Sequence, residues 1–316
     1  MTGEYRVLAH AAEIAYVRFR VPDLERQRIF LEDFGMKVLP DPEGTGRLFG
    51  RGEGGRSFFY IAEKGPSRFL GAGFQIAERS DLDVLSGLEG ASPVEPIDGP
   101  GGGYRVRMTD PNGFEIDAVF GQDMQPIEPV SPRPPLNFTE RKSRLGEPVR
   151  LGRGPARVRR VGHFVLDVRN FRESEDWYKR RFGFLTSDEI YAGEESNTLG
   201  AFMRCDLGDL PVDHHTVFLI GGREPGINHV AFEVDDWDTV MLGHDHLKAG
   251  GYEAHWGVGK HILGSQVFDY WKDPYGNVVE HYTDGDLFDA SVPSKREPVE
   301  VLLGVQWGPG MPGHGE

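Results

Sequence analysis

The stretch HILGSQVFDYWKDPYGNVVEHYTDGD, His261–Asp286, gathers two histidines and three tyrosines around one turn signal, DPYG. FDYW before the turn and VVEHY after it read as the two strands of a hairpin closed at Asp273–Gly276. Glu280 lies on the second strand, directly after Val278 and Val279. A carboxylate on a buried strand needs a partner, because an unpaired buried charge is costly. Tyr270 falls on the facing strand, so the turn can bring both into one cavity.

Working outward, the same turn recurs as DPNG (Asp110–Gly113) in GPGGGYRVRMTDPNGFEIDAVFG. The elements before it recur too. AYVRFRV (Ala15–Val21) alternates as a half-buried strand, and VGHFVLDV (Val161–Val168) is its counterpart. Asp23 caps a helix that stops at Phe34-Gly35; ESEDWYKRRFGF stops at Phe182-Gly183. RLFGRG, SFFYIAEK and LGAGFQIAE read as strands in the first half, HTVFLIGG and NHVAFEVDD in the second. Further helices are expected at Asp81–Leu88 and in DDWDTVMLGHDHLKAGGY. The offset is 147 residues from Tyr16 to His163 and 163 from Asp110 to Asp273, so the second copy carries insertions. The chain is an internal duplication. Proline-rich PIEPVSPRPPLNF separates the copies. The expected division is residues 1–128, a linker at 129–156, a second domain at 157–287 and a tail at 288–316. That tail ends in GVQWGPGMPGHGE and is expected to be partly disordered.

The copies differ where chemistry is concerned. Strands of the second carry His163, His229 and Glu280; the matching positions of the first are Tyr16, Gly71 and Asp117. Two imidazoles and one carboxylate on three strands form the facial triad that holds non-haem Fe(II) and leaves positions open. Asp117 is expected to be solvated or a cap. His244 and His246, two apart on a helix, are expected at the surface, as are His10, His255 and His314.

The chain has 316 residues, 38% hydrophobic, with 35 basic against 50 acidic residues and a formal charge of −15. That balance disfavours nucleic acid and anionic membrane as partners. The single cysteine, Cys205, permits no internal disulfide. No apolar run reads as a signal peptide or membrane span, and the cytoplasm is the expected location.

From about Ala12 to Asp286, and most strongly over GKHILGSQVFDYWKDPYGNVVEHYTDGD, the chain resembles two-domain type I extradiol ring-cleavage dioxygenases of the vicinal oxygen chelate superfamily. The resemblance is to the dihydroxybiphenyl dioxygenase, catechol 2,3-dioxygenase and trihydroxytoluene oxygenase branch. It implies an α+β fold of two tandem domains, each built from paired βαβββ modules, with metal bound only in the second. It implies His163, His229 and Glu280 as ligands of Fe(II), with Mn(II) the other admissible ion. One histidine of the His214-His215 pair matches the acid–base residue; His215 is preferred and His214 stays open. His261 and Tyr270 match residues that contact the substrate's oxygens. The implied reaction is O2-dependent cleavage of a catechol-type diol beside its hydroxyls, giving a muconic semialdehyde-type product, in a homo-oligomer. Phe202, Met203, Arg204, Trp256 and Trp271 are candidates for the pocket wall. The rival readings are another metalloenzyme on this scaffold, a glyoxalase-like isomerase or fosfomycin-type transferase, and a non-catalytic aromatic-binding protein.

Overall fold

The computed structural model describes residues 6–130 and 135–313; His314 lies outside the described residues, as do parts of the expected linker and tail. The first half runs β1 (Ala11–Val21), α1 (Leu24–Phe34), β2 (Lys37–Leu39), β3 (Arg47–Arg51) and β4 (Tyr60–Lys64). It continues with β5 (Arg68–Ile76), α2 (Arg79–Ser86), β6 (Glu95–Pro96), β7 (Tyr104–Thr109) and β8 (Glu115–Phe120). These form one sheet in the order β2-β3-β4-β1-β5-β8-β7-β6. β1 and β5 pair antiparallel at its centre, each flanked by the parallel last strand of its own module, β4 and β8. This is a pair of βαβββ modules.

The second half repeats the plan. It has β9 (Val158–Asp167), α3 (Phe171–Phe182), β10 (Leu185–Tyr191), β11 (Thr198–Arg204), β12 (Val212–Asp213) and β13 (Val217–Ile220). Then come β14 (Gly226–Val234), α4 (Trp237–Ala249), β15 (Ala254–His261), β16 (Val267–Lys272) and β17 (Val278–Thr283). After them lie β18 (Leu287–Phe288), β19 (Lys295–Pro298), α5 (Val299–Leu303) and β20 (Val305–Trp307). The larger sheet is ordered β19-β10-β11-β13-β9-β14-β17-β16-β15-β20, with β12 and β18 paired apart. The α+β architecture of paired modules is therefore the expected one. No described helix is long and apolar enough to cross a membrane.

Local signals explain the boundaries. Asp23 accepts from the amides of Glu25 and Arg26, and Gly35 ends α1 at φ 106°, where a Cβ would also overlap the Ala156 carbonyl. α3 begins earlier than the pattern suggested, because Asn170 caps it. α2 is likewise shifted two residues toward the N-terminus of the expected span.

The tail departs from expectation. Instead of partial disorder, its described residues extend both edges of the larger sheet: β19 pairs with β10 and β20 with β15. α5 lies between them.

The two halves share one continuous core in which Phe74 packs on Phe164 and Phe34 on Phe232. They also interlock reciprocally through the repeated turns. Asp110 accepts from Tyr178 on α3, and Asn112 donates to Ser174. In the other direction Asp273 accepts from Gln27 on α1, and Tyr275 donates to the Asp23 carbonyl. His244 and His246 were expected at the surface, but both are only partly exposed and paired. His244 meets the buried Asp269 at 3.1 Å, and His246 reaches Asp33 of α1 at 3.0 Å. The buried carboxylate of Asp269 needs such a partner, and helix α4 packs against the strand that carries it and against α1.

Candidate metal centre

β9, β14 and β17 are neighbours in the larger sheet, and their register sets the site. His163 and Glu280 both pair with Ala231, on either side of it. His229 lies two residues before Ala231 and so shares its face of the strand. The small side chain at 231 leaves room for three longer ones to converge. Their ligand atoms lie within 4.8 Å of one another. Glu280 Oε2 is 3.2 Å from His163 Nε2 and 3.5 Å from His229 Nε2. His229 Nδ1 meets Asn228 Oδ1 at 2.9 Å; this contact turns Nε2 toward the carboxylate and fixes the tautomer.

The donor set fits a divalent cation. Glu280 is fully buried, and among the described residues neither carboxylate oxygen accepts a well-formed hydrogen bond. Burial, reinforced by the neighbouring imidazoles, holds His229 well below the ordinary histidine range, so it supplies no charge. A buried carboxylate beside the neutral His229 imidazole is a cation site by its own electrostatics.

The first half shows what the same register becomes without a cation. Tyr16 and Asp117 both pair with Gly73, and Gly71 stands where His229 does. Asp117 was expected to be solvated or a cap; it is fully buried inside β8. It accepts from Tyr16 Oη at 2.7 Å and from Arg107 Nε and Nη2 at 2.7 and 2.8 Å. The bidentate guanidinium supplies the positive charge that the second half lacks. Gly71 cannot be replaced by a ligand, since its Cβ would overlap the Glu115 carbonyl. Arg107→Met removes the bidentate partner and leaves the buried Asp117 with the Tyr16 hydroxyl and the more distant Arg105, 4.0 Å away. It is expected to destabilise the chain by about 3 kcal/mol in urea unfolding, with metal content unchanged.

The second-half site opens into a cavity of about 310 Å³. His215, His261 and Tyr270 line it. His215 packs on His163 with ring centroids 4.1 Å apart, and burial followed by nearby imidazoles holds it well below the usual range. His261 Nε2 lies 2.9 Å from Tyr270 Oη, and burial pushes its imidazole down to about 3. Tyr270 pairs with Glu280 across the hairpin; burial first, then that carboxylate, raises its phenol well above the ordinary value. His214 does not line the cavity. It stands behind His215, between that ring and Asp188.

Two apolar clusters form the walls. Val165, Ile190, Phe202 and Phe218 make one, with Val299 and Leu302 of α5 packed against it. Trp256, Phe268 and Tyr270 make the other, with Met311 of the tail against it. Phe202 and Trp256 thus line the cavity as the sequence suggested. Met203, Arg204 and Trp271 do not. Met203 and Trp271 sit in the main core, on the other face of their strands. Arg204 is buried among the carbonyls of Thr186, Asp289 and Val292.

Sequence reading missed Asn228, Gln266 and the tail among the lining residues. Asn228 had a signal, its position beside His229. Gln266 and the tail had none, because only the fold carries them to the cavity.

Residues 160–281 match the model described as the Glyoxalase/Bleomycin resistance protein/Dioxygenase superfamily. Over this segment the chain is similar to that superfamily. Metapyrocatechase 2 of Cupriavidus necator is 28% identical over 95% of this chain and 89% of its own length. An iron-dependent extradiol dioxygenase of Rhodococcus jostii (strain RHA1) is 24% identical over 93% and 95%. Among solved structures, the Mn(II)-bound glyoxalase from Novosphingobium aromaticivorans aligns with a TM-score of 0.76 at 23% identity, over 96% of this chain and 93% of that one. Homoprotocatechuate 2,3-dioxygenase from Brevibacterium fuscum, complexed with 3,4-dihydroxyphenylacetate, gives 0.73 at 21%, over 93% and 87%. The structural alignments agree with the paired-module architecture over nearly the whole chain.

Proposed function

We infer that the chain is an extradiol dioxygenase, which uses O2 to cleave a catechol-type ring beside its two hydroxyls. The observation that carries this reading is the buried His163–His229–Glu280 set opening into an apolar cavity faced by His215, His261 and Tyr270. Relatives named as extradiol enzymes across most of their length support it.

Iron(II), or manganese(II) as the other ion this donor set accepts, would supply positions for the diol and O2 and a path for electrons between them. His163, His229 and Glu280 would hold it. His215 takes the proton that the diol loses on binding and returns it later, a role suited to a neutral imidazole. Tyr270 and His261 hold the substrate's oxygens. The two apolar walls orient the ring and exclude water.

The walls also favour one kind of substituent. Arg223 is the only lysine or arginine among the described lining residues, and it is largely exposed and pairs with Asp167 at 3.6 Å. Nothing deeper offers a fixed positive charge. A substrate carboxylate placed among Ile190, Leu199, Phe218 and Leu302 would be buried unpaired. Alkyl- or aryl-substituted catechols are therefore expected to exceed acidic ones in kcat/KM by roughly 100-fold, about 2.7 kcal/mol.

Both statements are tested together. Iron(II)-loaded protein is mixed in air with apolar and carboxylated catechols under mild reductant, and yellow product and O2 uptake are followed. Absence of both with every catechol would sink the dioxygenase reading. A preference for the acidic members would overturn only the substituent assignment. The second reading, an isomerase, is supported by the fold likeness to the glyoxalase. It requires turnover without O2 uptake.

A further inference from the structure

Behind the cavity lies a buried hydrogen-bonded chain that the proposed reaction does not itself call for. Asp188 of β10 reaches His214 Nε2 through Oδ2 at 2.7 Å, and His214 Nδ1 meets His215 Nδ1 at 3.0 Å. The three residues are 4%, 1% and 3% exposed, so bulk water cannot substitute for any of these contacts. The chain is held on all sides. Ser187 Oγ donates to the His214 carbonyl at 2.6 Å and accepts from Arg204 Nη1 at 3.0 Å. Arg204 in turn donates to the carbonyls of Asp289 and Val292, which ties β10 to the tail. The His214 amide donates to the Asp286 carbonyl at 2.9 Å. Phe202 and Phe288 pack against the His214 ring.

We propose that Asp188 is a positioning residue which, through His214, fixes the tautomer of His215 so that its Nε2 lone pair faces the cavity. A carboxylate only accepts, so the proton between Asp188 and His214 sits on His214 Nε2. In this arrangement His214 carries that one ring proton, which leaves a lone pair at Nδ1. The 3.0 Å contact requires one proton between two Nδ1 atoms, and His215 must supply it. With Nδ1 engaged as a donor, the remaining nitrogen of His215, Nε2, is an acceptor. The assignment follows from the network of partners, as histidine tautomers must. It parallels the logic by which a buried aspartate orients a general-base histidine, here with a second imidazole interposed. It also explains why two adjacent histidines occur where one acid–base group is needed.

The role of His215 as base rests on the function proposed above, but the tautomer does not, and the test separates them. Protein labelled with [15N]histidine is measured metal-free and zinc-loaded, with ring nitrogens assigned through two-bond proton–nitrogen correlations. The wild-type chain is expected to carry its His215 proton on Nδ1. Asp188→Asn places an amide donor against His214 Nε2 and should move both protons, leaving His215 protonated on Nε2. In the iron-loaded enzyme the same variant should lose roughly 100-fold in kcat, with KM and metal content unchanged. Asp188→Ala, which imposes no wrong tautomer, should lose less. A wild-type His215 protonated on Nε2 overturns the proposal even if neither variant folds, as does an unchanged tautomer in folded Asp188→Asn. Failure of the wild type to cleave any catechol leaves the tautomer measurement standing and defeats only the functional reading.

Discussion

Replacing Glu280 with glutamine is expected to abolish metal binding and turnover while making the metal-free protein more stable. The side chain is fully buried, and its oxygens have imidazole neighbours but no well-formed hydrogen bond among the described residues. Without a cation, folding must desolvate this carboxylate, and the compensation is poor. An amide of the same shape removes the charge and with it most of that penalty. A gain on the order of 1 kcal/mol in the metal-free state is expected. The wild type should regain far more on loading: a ligand at about 1,000 times its Kd adds about 4 kcal/mol. Thermal melts with and without chelator, alongside metal analysis, read both effects. The wild type should show a large metal-dependent rise in Tm, and the variant none. Stoichiometric iron or manganese retained by Glu280→Gln would remove Glu280 from the ligand set. Stoichiometric zinc in active wild-type protein, with neither iron nor manganese, would overturn the iron assignment.

His215→Ala should behave in the opposite manner, keeping its metal and losing turnover by roughly 10²–10⁴-fold. The ring lies against His163 but is not within the triad, whose three ligand atoms converge without it. Its loss removes the group that moves the substrate's proton and spares the cation's donors. Metal content and single-turnover kinetics under O2 separate the two. His214→Ala should be the milder change, because that ring reaches the cavity only through its neighbour. If His215→Ala turns over normally and His214→Ala does not, the two roles are exchanged.

Much of the fold was legible because duplication prints its period into local signals. Helix ends at Gly35 and Gly183, and turns at DPNG and DPYG, depend on residues within a few positions of each other. The contrast between His163, His229 and Glu280 and their first-half counterparts was equally readable, since β-pairing in a repeated unit preserves register. That is why Tyr16, Gly71 and Asp117 occupy the equivalent pairings. Strands β10, β11 and β15 were less visible; LTSDEIY, for example, mixes polar residues without a clean two-residue period.

The sequence by itself determined the duplication, the asymmetry between the copies and the residues that form the candidate triad; the paired modules were what the family resemblance implied. The first three follow from near-neighbour patterns or from an internal repeat. Only the tertiary structure decided that Asp117 is buried and neutralised by Arg107, that the glycine- and proline-rich tail folds over the cavity, and that Asp188 stands behind His214. Those depend on contacts between residues 10 to about 100 positions apart. A carboxylate looks the same in sequence whether its partner is water, an arginine or an ion. Burial, which is set by the whole fold, decides which of these it has.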